Sequence, residues 1–261
     1  MKKIKKEIAK FFARTYFQPF FETLHSIALK GMNYGSANNP KDSGEINLLK
    51  KLAKELPFQP VIFDVGSNNG QYLHLLLQNL KNLEPTIHCF EPEKSAFDDL
   101  QNHFGDFPNV LLNNFALGDK KAKLTLFSEA FGDVKSSFVN IGDDNLMRNQ
   151  NEIEIATLDD YCEERNITKI HFLKIDVEGF ETNVVIGSER MIKNNGIERI
   201  QLEHGSTHSI VMGASLFNFK KLLVDYGLFH IKQNGIRKIK YTPQMEIFFN
   251  SNYYFKKKNL D

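Results

Sequence analysis

Val61-Ile-Phe-Asp64-Val-Gly66-Ser67-Asn68-Asn69-Gly70 decides the reading of this chain: a short, mostly apolar strand runs into a turn bracketed by glycines, and Gln71–Asn82 behind it has helical spacing. Glycines there let the backbone turn sharply and let a ligand approach the main chain closely. The first amides of the following helix face that ligand and favour an anionic group such as a carboxylate. The glycine spacing is G-x-x-x-G, without the G-x-G-x-x-G of dinucleotide binders. An open turn of this kind suits a nucleoside with an amino-acid tail.

Outward from that turn, short apolar runs alternate with helical segments. Strands are expected at Val61–Val65, Thr86–Phe90, Val110–Leu112, Ile170–Ile175 and Glu198–Leu202, with helices at Gln71–Asn82, Lys94–Phe104 and Phe180–Asn194. Near-continuous apolar strands separated by helices imply a doubly wound α/β domain with a mostly parallel sheet covered on both faces. Lys121–Ser128 and Glu152–Ala156 read as added strands. Gly227–Ile231, Ile236–Tyr241 and Glu246–Asn250 are strand-like, with Asn234-Gly235 as a turn signal, and would close the sheet with antiparallel strands. Residues 57–261 are thus expected to form the catalytic domain, and residues 1–56 an N-terminal helical extension and linker.

The 261 residues carry 41% hydrophobic and 25% charged residues with a net charge of +1, a composition of folded domains that gives no reason to expect a nucleic-acid partner. Cys89 and Cys162 belong to no metal-type cluster and read as buried, reduced thiols. The lysine-rich N-terminus begins like a secretory signal, but Arg14 and Gln18 interrupt its apolar run and no clear cleavage site follows. No stretch reaches the roughly 18 apolar residues of a spanning helix. A cytoplasmic location is therefore expected. Ile4, Ile8, Phe11, Phe12 and Thr15 recur at helical spacing among lysines, which describes a basic amphipathic helix. Such a helix either lies on an anionic membrane surface or packs its aromatic face on the main domain or a second subunit, the commoner outcome.

Three further segments carry chemistry. In His88-Cys89-Phe90-Glu91-Pro92 an acidic residue ends the next strand, about twenty residues on, where a carboxylate can accept both ribose hydroxyls. Lys174-Ile175-Asp176-Val177-Glu178-Gly179-Phe180-Glu181 ends the fourth main strand; alternation puts Lys174, Asp176 and Glu178 on one side until the chain turns. Charge at an otherwise apolar strand end is costly unless paired or used. Asp176 and Glu178 are therefore expected to face a reaction cleft, with Lys174 as a partner; the alternative is a structural Lys–Asp pair with Glu178 and Glu181 at a helix N-terminus. Gln201-Leu202-Glu203-His204-Gly205 ends the fifth strand on the same rim, where His204 can orient or deprotonate an acceptor hydroxyl. These acidic residues lack metal-ligand spacing, and no metal is expected.

In order, Asp64–Gly70, Phe90-Glu-Pro92, Asn114-Phe-Ala-Leu-Gly118, Thr157-Leu-Asp-Asp160 and Lys174–Glu181 resemble the FkbM family of S-adenosylmethionine-dependent methyltransferases across roughly residues 60 to 205. Met32-Asn-Tyr-Gly35 with Ser43-Gly-Glu45 is similar to bacterial members linked to surface-glycan synthesis. The resemblance implies a class I methyltransferase fold, a seven-stranded Rossmann-like sheet. It implies S-adenosylmethionine held by Asp64, Gly66, Ser67, Asn68 and Gly70 around its methionine part, by Glu91 at the ribose, and by Asn114 and Ala116 near the adenine. It implies methyl transfer to an oxygen, and the N-terminal similarity points to a sugar hydroxyl of a surface-polysaccharide precursor; for that reaction Glu178 or His204 is expected as the base, with Asp176 positioning the acceptor or the surroundings of the sulfonium. Leu73 departs from the pattern, since many members have a hydroxyl residue there. Read from the residues alone, an NAD-type oxidoreductase or a non-catalytic scaffold on the same fold stand as alternatives.

Overall fold

Alternation along short apolar strands sends successive side chains to opposite faces of a sheet. The computed structural model describes residues 10–35, 40–128, 136–138, 149–247 and 249–260. Its strands are β1 (Val61–Val65), β2 (Thr86–Phe90), β3 (Val110–Asn113), β4 (Ala116–Leu117), β5 (Ala122–Ser128), β6 (Ser136–Ser137), β7 (Asn149–Ala156), β8 (Phe172–Ile175), β9 (Arg199–His204), β10 (Tyr226–Lys232), β11 (Gly235–Lys238) and β12 (Ser251–Lys257). Among the described residues the main sheet has eight strands in the order β11-β10-β12-β9-β8-β1-β2-β3. The five strands from β9 to β3 run parallel, and β12, β10 and β11 close the sheet antiparallel. A small second sheet, β4-β7-β5-β6, is inserted between β3 and β8.

Phe63, Val65, Phe90, Leu173, Ile175, Ile200, Leu202, Tyr253 and Phe255 fill one face of the main sheet. Ile62, Ile87, Cys89, Phe172, Ile231 and Tyr254 fill the other, beneath the helices Glu45–Glu55 and Gln71–Leu80. Leu48, Leu49 and Leu52 have no exposed surface, so residues 45–55, grouped by sequence with the extension, contribute to the core. Each such leucine is worth about 1.5–3 kcal/mol. Cys89 and Cys162 are buried free thiols.

Three expectations change. The helix expected over Phe180–Asn194 is two, Glu181–Ile186 and Glu189–Lys193, because Asp159 caps the second: its carboxylate accepts from the amides of Arg190 (2.7 Å) and Met191 (2.9 Å). The final strand is Ser251–Lys257 rather than Glu246–Asn250; the polar residues at both of its ends disguise the buried Tyr253-Tyr254-Phe255 at its centre. In the linker expected within residues 1–56, Asn33 and Tyr34 are buried and Pro40–Ser43 is a helical turn.

Of the amphipathic helix expected around Ile4–Thr15, residues 4–9 lie outside the described residues, and residues 10–12 are helical. Beyond it the chain forms a 3₁₀ turn, Thr15–Phe17, and a helix, Gln18–Gly31, in which no residue is buried. Docking of the aromatic face on the main domain is not seen over residues 10–31. Phe11, Phe12, Phe20 and Ile27 are exposed, and Leu29 is half-buried against the core. No described helix is long and apolar enough to cross a membrane.

Candidate active site

The parallel strands end on one rim, where open α/β sheets bind ligands. At the end of β1 the chain leaves the sheet at Gly66, with φ +78°. A Cβ at Gly66 would lie 1.8 Å from the carbonyl oxygen of Asp176, so only glycine lets the loop pass this close to the end of β8. The amides of Gly66 and Ser67 donate to the Phe90 carbonyl (3.0 and 3.1 Å), and the Ser67 hydroxyl donates to the Asp64 carbonyl (2.8 Å). Asn68 is left-handed (φ +51°), which aims its amide at Glu91.

Glu91 is buried, with each carboxylate oxygen fixed by one backbone amide: Asn68 donates to Oε2 and Glu93 to Oε1, both at 2.8 Å. Burial pushes its pKa up to about 7, against the pull of those amides. A carboxylate oxygen has two acceptor sites, so each keeps one for a ligand hydroxyl. The Asn114 side chain donates to the Glu91 carbonyl (2.9 Å) and holds this turn from the end of β3. Ala116, in contrast, is buried in the small sheet with Leu126, Ile153, Ile155 and Phe180.

Strand register places Asp64, Lys174 and Gln201 side by side on β1, β8 and β9. Lys174 is buried; its ammonium lies 3.3 Å from Asp64 and 3.4 Å from Asp176, and donates to the Gly66 carbonyl (3.1 Å). Burial works against that charge, but Asp64, Asp176 and Glu45 outweigh it and hold Lys174 above the usual lysine range. Lys174 also stands over the Tyr72 ring, 5.1 Å from its centroid. The Tyr72 hydroxyl donates to Gln201 (2.8 Å), and Gln201 donates to Glu45 (2.6 Å). Asp64 has no exposed surface. Its carboxylate, expected around the methionine part of a cofactor, is sealed behind the loop and bears on it through Lys174.

Asp176 and Glu178, with side chains 36% and 29% exposed, are the open carboxylates at the end of β8. Glu178 (φ +48°) and Gly179 (φ +100°) are both left-handed, the first a strained conformation for a side-chain-bearing residue. A Cβ at Gly179 would meet the His208 backbone at 2.8 Å, and this close approach brings His208 Nδ1 to 3.4 Å from Glu178. Glu181 lies inside the turn, accepting from the amides of Gly179 (3.0 Å) and Val177 (3.3 Å); burial pushes its pKa up to about 7. It holds the loop rather than facing a ligand. Glu203, at the end of β9, is driven well above the usual carboxylate range by burial and then by Asp176, Glu178 and Glu181.

His204, expected to meet an acceptor hydroxyl, is instead sealed in the core. Phe219 stands edge-on at 5.8 Å, Glu246 is 3.7 Å from Nε2, and burial lowers its pKa. Of the three residues expected to serve the acceptor, Glu178 and Asp176 are the ones whose carboxylates stay exposed at the rim. Sequence reading missed Glu45, Tyr72, His208 and Glu246, which come from distant segments. The one available signal was Ser43-Gly-Glu45, where the Ser43 hydroxyl donates to Glu45 at 2.7 Å. No three His, Cys, Asp or Glu side chains converge as metal ligands among the described residues.

Parallel strands ordered β8-β1-β2-β3, a glycine turn after β1 and a strand-end carboxylate after β2 define the class I methyltransferase fold. A solved structure described as methyltransferase FkbM from Methylobacillus flagellatus KT shares it, with a TM-score of 0.51 over 80% of this chain and 47% of that one at 18% identity. The chain belongs to the FkbM methyltransferase family: the family model described as "Methyltransferase FkbM domain" matches residues 64–223. Two relatives are similar in sequence. The 2-O-methyltransferase NoeI of Sinorhizobium fredii is 26% identical over 51% of this chain and 59% of its own length. The hexuronic acid methyltransferase AglP of Haloferax volcanii is 22% identical over 62% of this chain and 64% of its own. The chain thus spans about six tenths of the length of the curated relatives it matches.

S-adenosylmethionine is the methyl donor that family and fold imply, and the donor set fits it. Glu91 offers paired acceptors suited to a ribose diol, the helix start at Gln71 offers amides for a carboxylate, and Asp176 offers negative charge for a cationic centre.

Proposed function

We propose that this chain is an S-adenosylmethionine-dependent O-methyltransferase acting in the cytoplasm on a sugar hydroxyl of a bacterial surface-polysaccharide precursor. The observation that carries this reading is the pairing of a preformed nucleoside cradle, Glu91 fixed by two amides, with the open carboxylate of Glu178 across the rim. The names of the two relatives support an oxygen acceptor and a sugar: one is a 2-O-methyltransferase, the other acts on hexuronic acid.

When bound, S-adenosylmethionine supplies a methyl group already activated on a sulfonium. Glu91 would accept its ribose hydroxyls, and the turn of Gly66, Ser67, Asn68 and Gly70 would hold its amino-acid end. Lys174 fixes that turn to Asp64 and Asp176. Glu178, steadied by His208, takes the acceptor's hydroxyl proton, and Asp176 positions the acceptor beside it. Alignment of the acceptor oxygen is the larger effect, about 7–11 kcal/mol for a well-held reacting pair. General-base removal of the proton contributes about 10²–10⁴ in rate.

Mass spectrometry of surface glycans from cells with and without the gene tests the reading. Loss of one O-methyl group from a defined sugar is expected, restored by the wild-type gene and not by Glu178→Gln. Identical glycan methylation in both strains would contradict it.

A further inference from the structure

The first 31 residues differ in charge from the rest of the chain. They hold seven lysines and arginines against Glu7 and Glu22, a net of +5; the whole chain's +1 leaves −4 for residues 32–261. The described part of this arm is also aromatic and open. Phe20 is 64% and Ile27 61% exposed, with Leu24 between them on the same helical stripe. Phe11, Phe12, Phe17 and Phe21 stack edge-on or tilted on one another at 5.2–5.9 Å, forming one apolar patch rather than scattered side chains. Contiguous exposed apolar surface of this kind marks an interaction site.

The root of the arm is fixed. Asn33 donates to the Ile231 carbonyl (3.1 Å), Gly35 to that of Asn250 (2.7 Å), and the Tyr34 and Tyr253 hydroxyls meet at 3.3 Å. Ser251 donates to the Asn33 carbonyl (3.1 Å) and pairs with His204 at the end of β9. The arm therefore leaves the domain at the rim where β9 ends.

We propose that this arm docks the enzyme on an anionic lipid surface, its apolar stripe entering the headgroup boundary and its basic residues, Lys10, Arg14 and Lys30 among them, meeting lipid charge. Charge favours that occupant: anionic headgroups attract the +5 arm and repel the −4 remainder, which orients the body away from the surface, whereas in a second copy the arm would meet another +5 arm or a body whose −4 is spread over 230 residues. The inference rests on the arm alone and is independent of the transfer reaction.

Vesicle flotation of the full chain tests it, using phosphatidylglycerol-containing and pure phosphatidylcholine vesicles at low and high salt, with Phe20→Glu/Ile27→Glu as the variant. Wild type is expected to partition at least about tenfold better onto the anionic vesicles, less so at high salt. The variant should float at background level while keeping its circular dichroism and its affinity for S-adenosylhomocysteine. Equal partition onto both vesicle types would overturn the proposal, as would undiminished binding by the variant. A wild-type dimer in sedimentation equilibrium that the variant abolishes would overturn it in favour of a second copy.

Discussion

The two halves of the rim handle their carboxylates in opposite ways. On the side of β1, β2 and β3, the acidic group Glu91 is held by backbone amides within its own loops, and Asn114 secures the turn around it. On the side of β8 and β9, Asp176, Glu178 and Glu203 crowd one another, with the Lys174 ammonium beside Asp176 and the His208 ring beside Glu178. One half is complete before a ligand arrives. The other keeps negative charge facing an opening, a state that disfavours polyanionic ligands and suits a neutral hydroxyl beside a cationic donor.

Lys174 is the seam between the halves, and breaking it should have the largest effect. Lys174→Met leaves Asp64 buried without its cation and is expected to cost about 3–5 kcal/mol in urea unfolding. Adding Asp64→Asn should recover most of that loss; no recovery would mean that Lys174 acts through packing alone. Next comes the open half. Glu178→Gln should lower kcat at least about tenfold while leaving S-adenosylhomocysteine affinity nearly unchanged, because the proposed base role touches the acceptor and not the cofactor. A loss of cofactor affinity equal to the loss in rate would erase the distinction between the halves.

A smaller effect appears in pH dependence. Glu91 and Glu181 titrate at about 7 in the folded protein against an ordinary 4.5. Between those values the folded state holds protons that the unfolded chain has released, so these two groups lower stability as pH rises through the window and add no further change above about 7. Glu181→Gln should therefore shift the slope of stability against pH upward by at most about 1.4 kcal/mol per pH unit, read from urea unfolding at several pH values. An unchanged slope would mean that burial does not raise Glu181. Smallest of all, His204→Asn should leave the rate nearly unchanged, since the imidazole is sealed from the acceptor. A tenfold loss would restore His204 as a candidate base.

The complete half was also the legible one. Asp64–Gly70 and Phe90-Glu91-Pro92 are contiguous, and the strands β1 and β2 lie where the apolar runs place them, because a parallel strand covered on both faces must be apolar throughout. The open half is assembled from afar. Glu45 meets Gln201 across 156 positions, and Glu246 reaches the amides of Leu216 and Phe217 from a segment whose composition reads as a strand. Local pattern carries no record of such pairings. Sealing also escapes it: Asp64 and His204 lie at strand ends, yet both turn into the protein, a choice made by Lys174 in one case and by Phe219 and Glu246 in the other.

Calorimetry with S-adenosylhomocysteine on the wild type and on Glu91→Ala bears most directly on the claim that the closed half is a nucleoside cradle. Above about pH 7, where Glu91 is ionised, two charge-assisted hydrogen bonds to a ribose diol are worth about 3 kcal/mol together, so the variant should bind about 100-fold more weakly. Equal affinity in the two proteins would contradict the assignment.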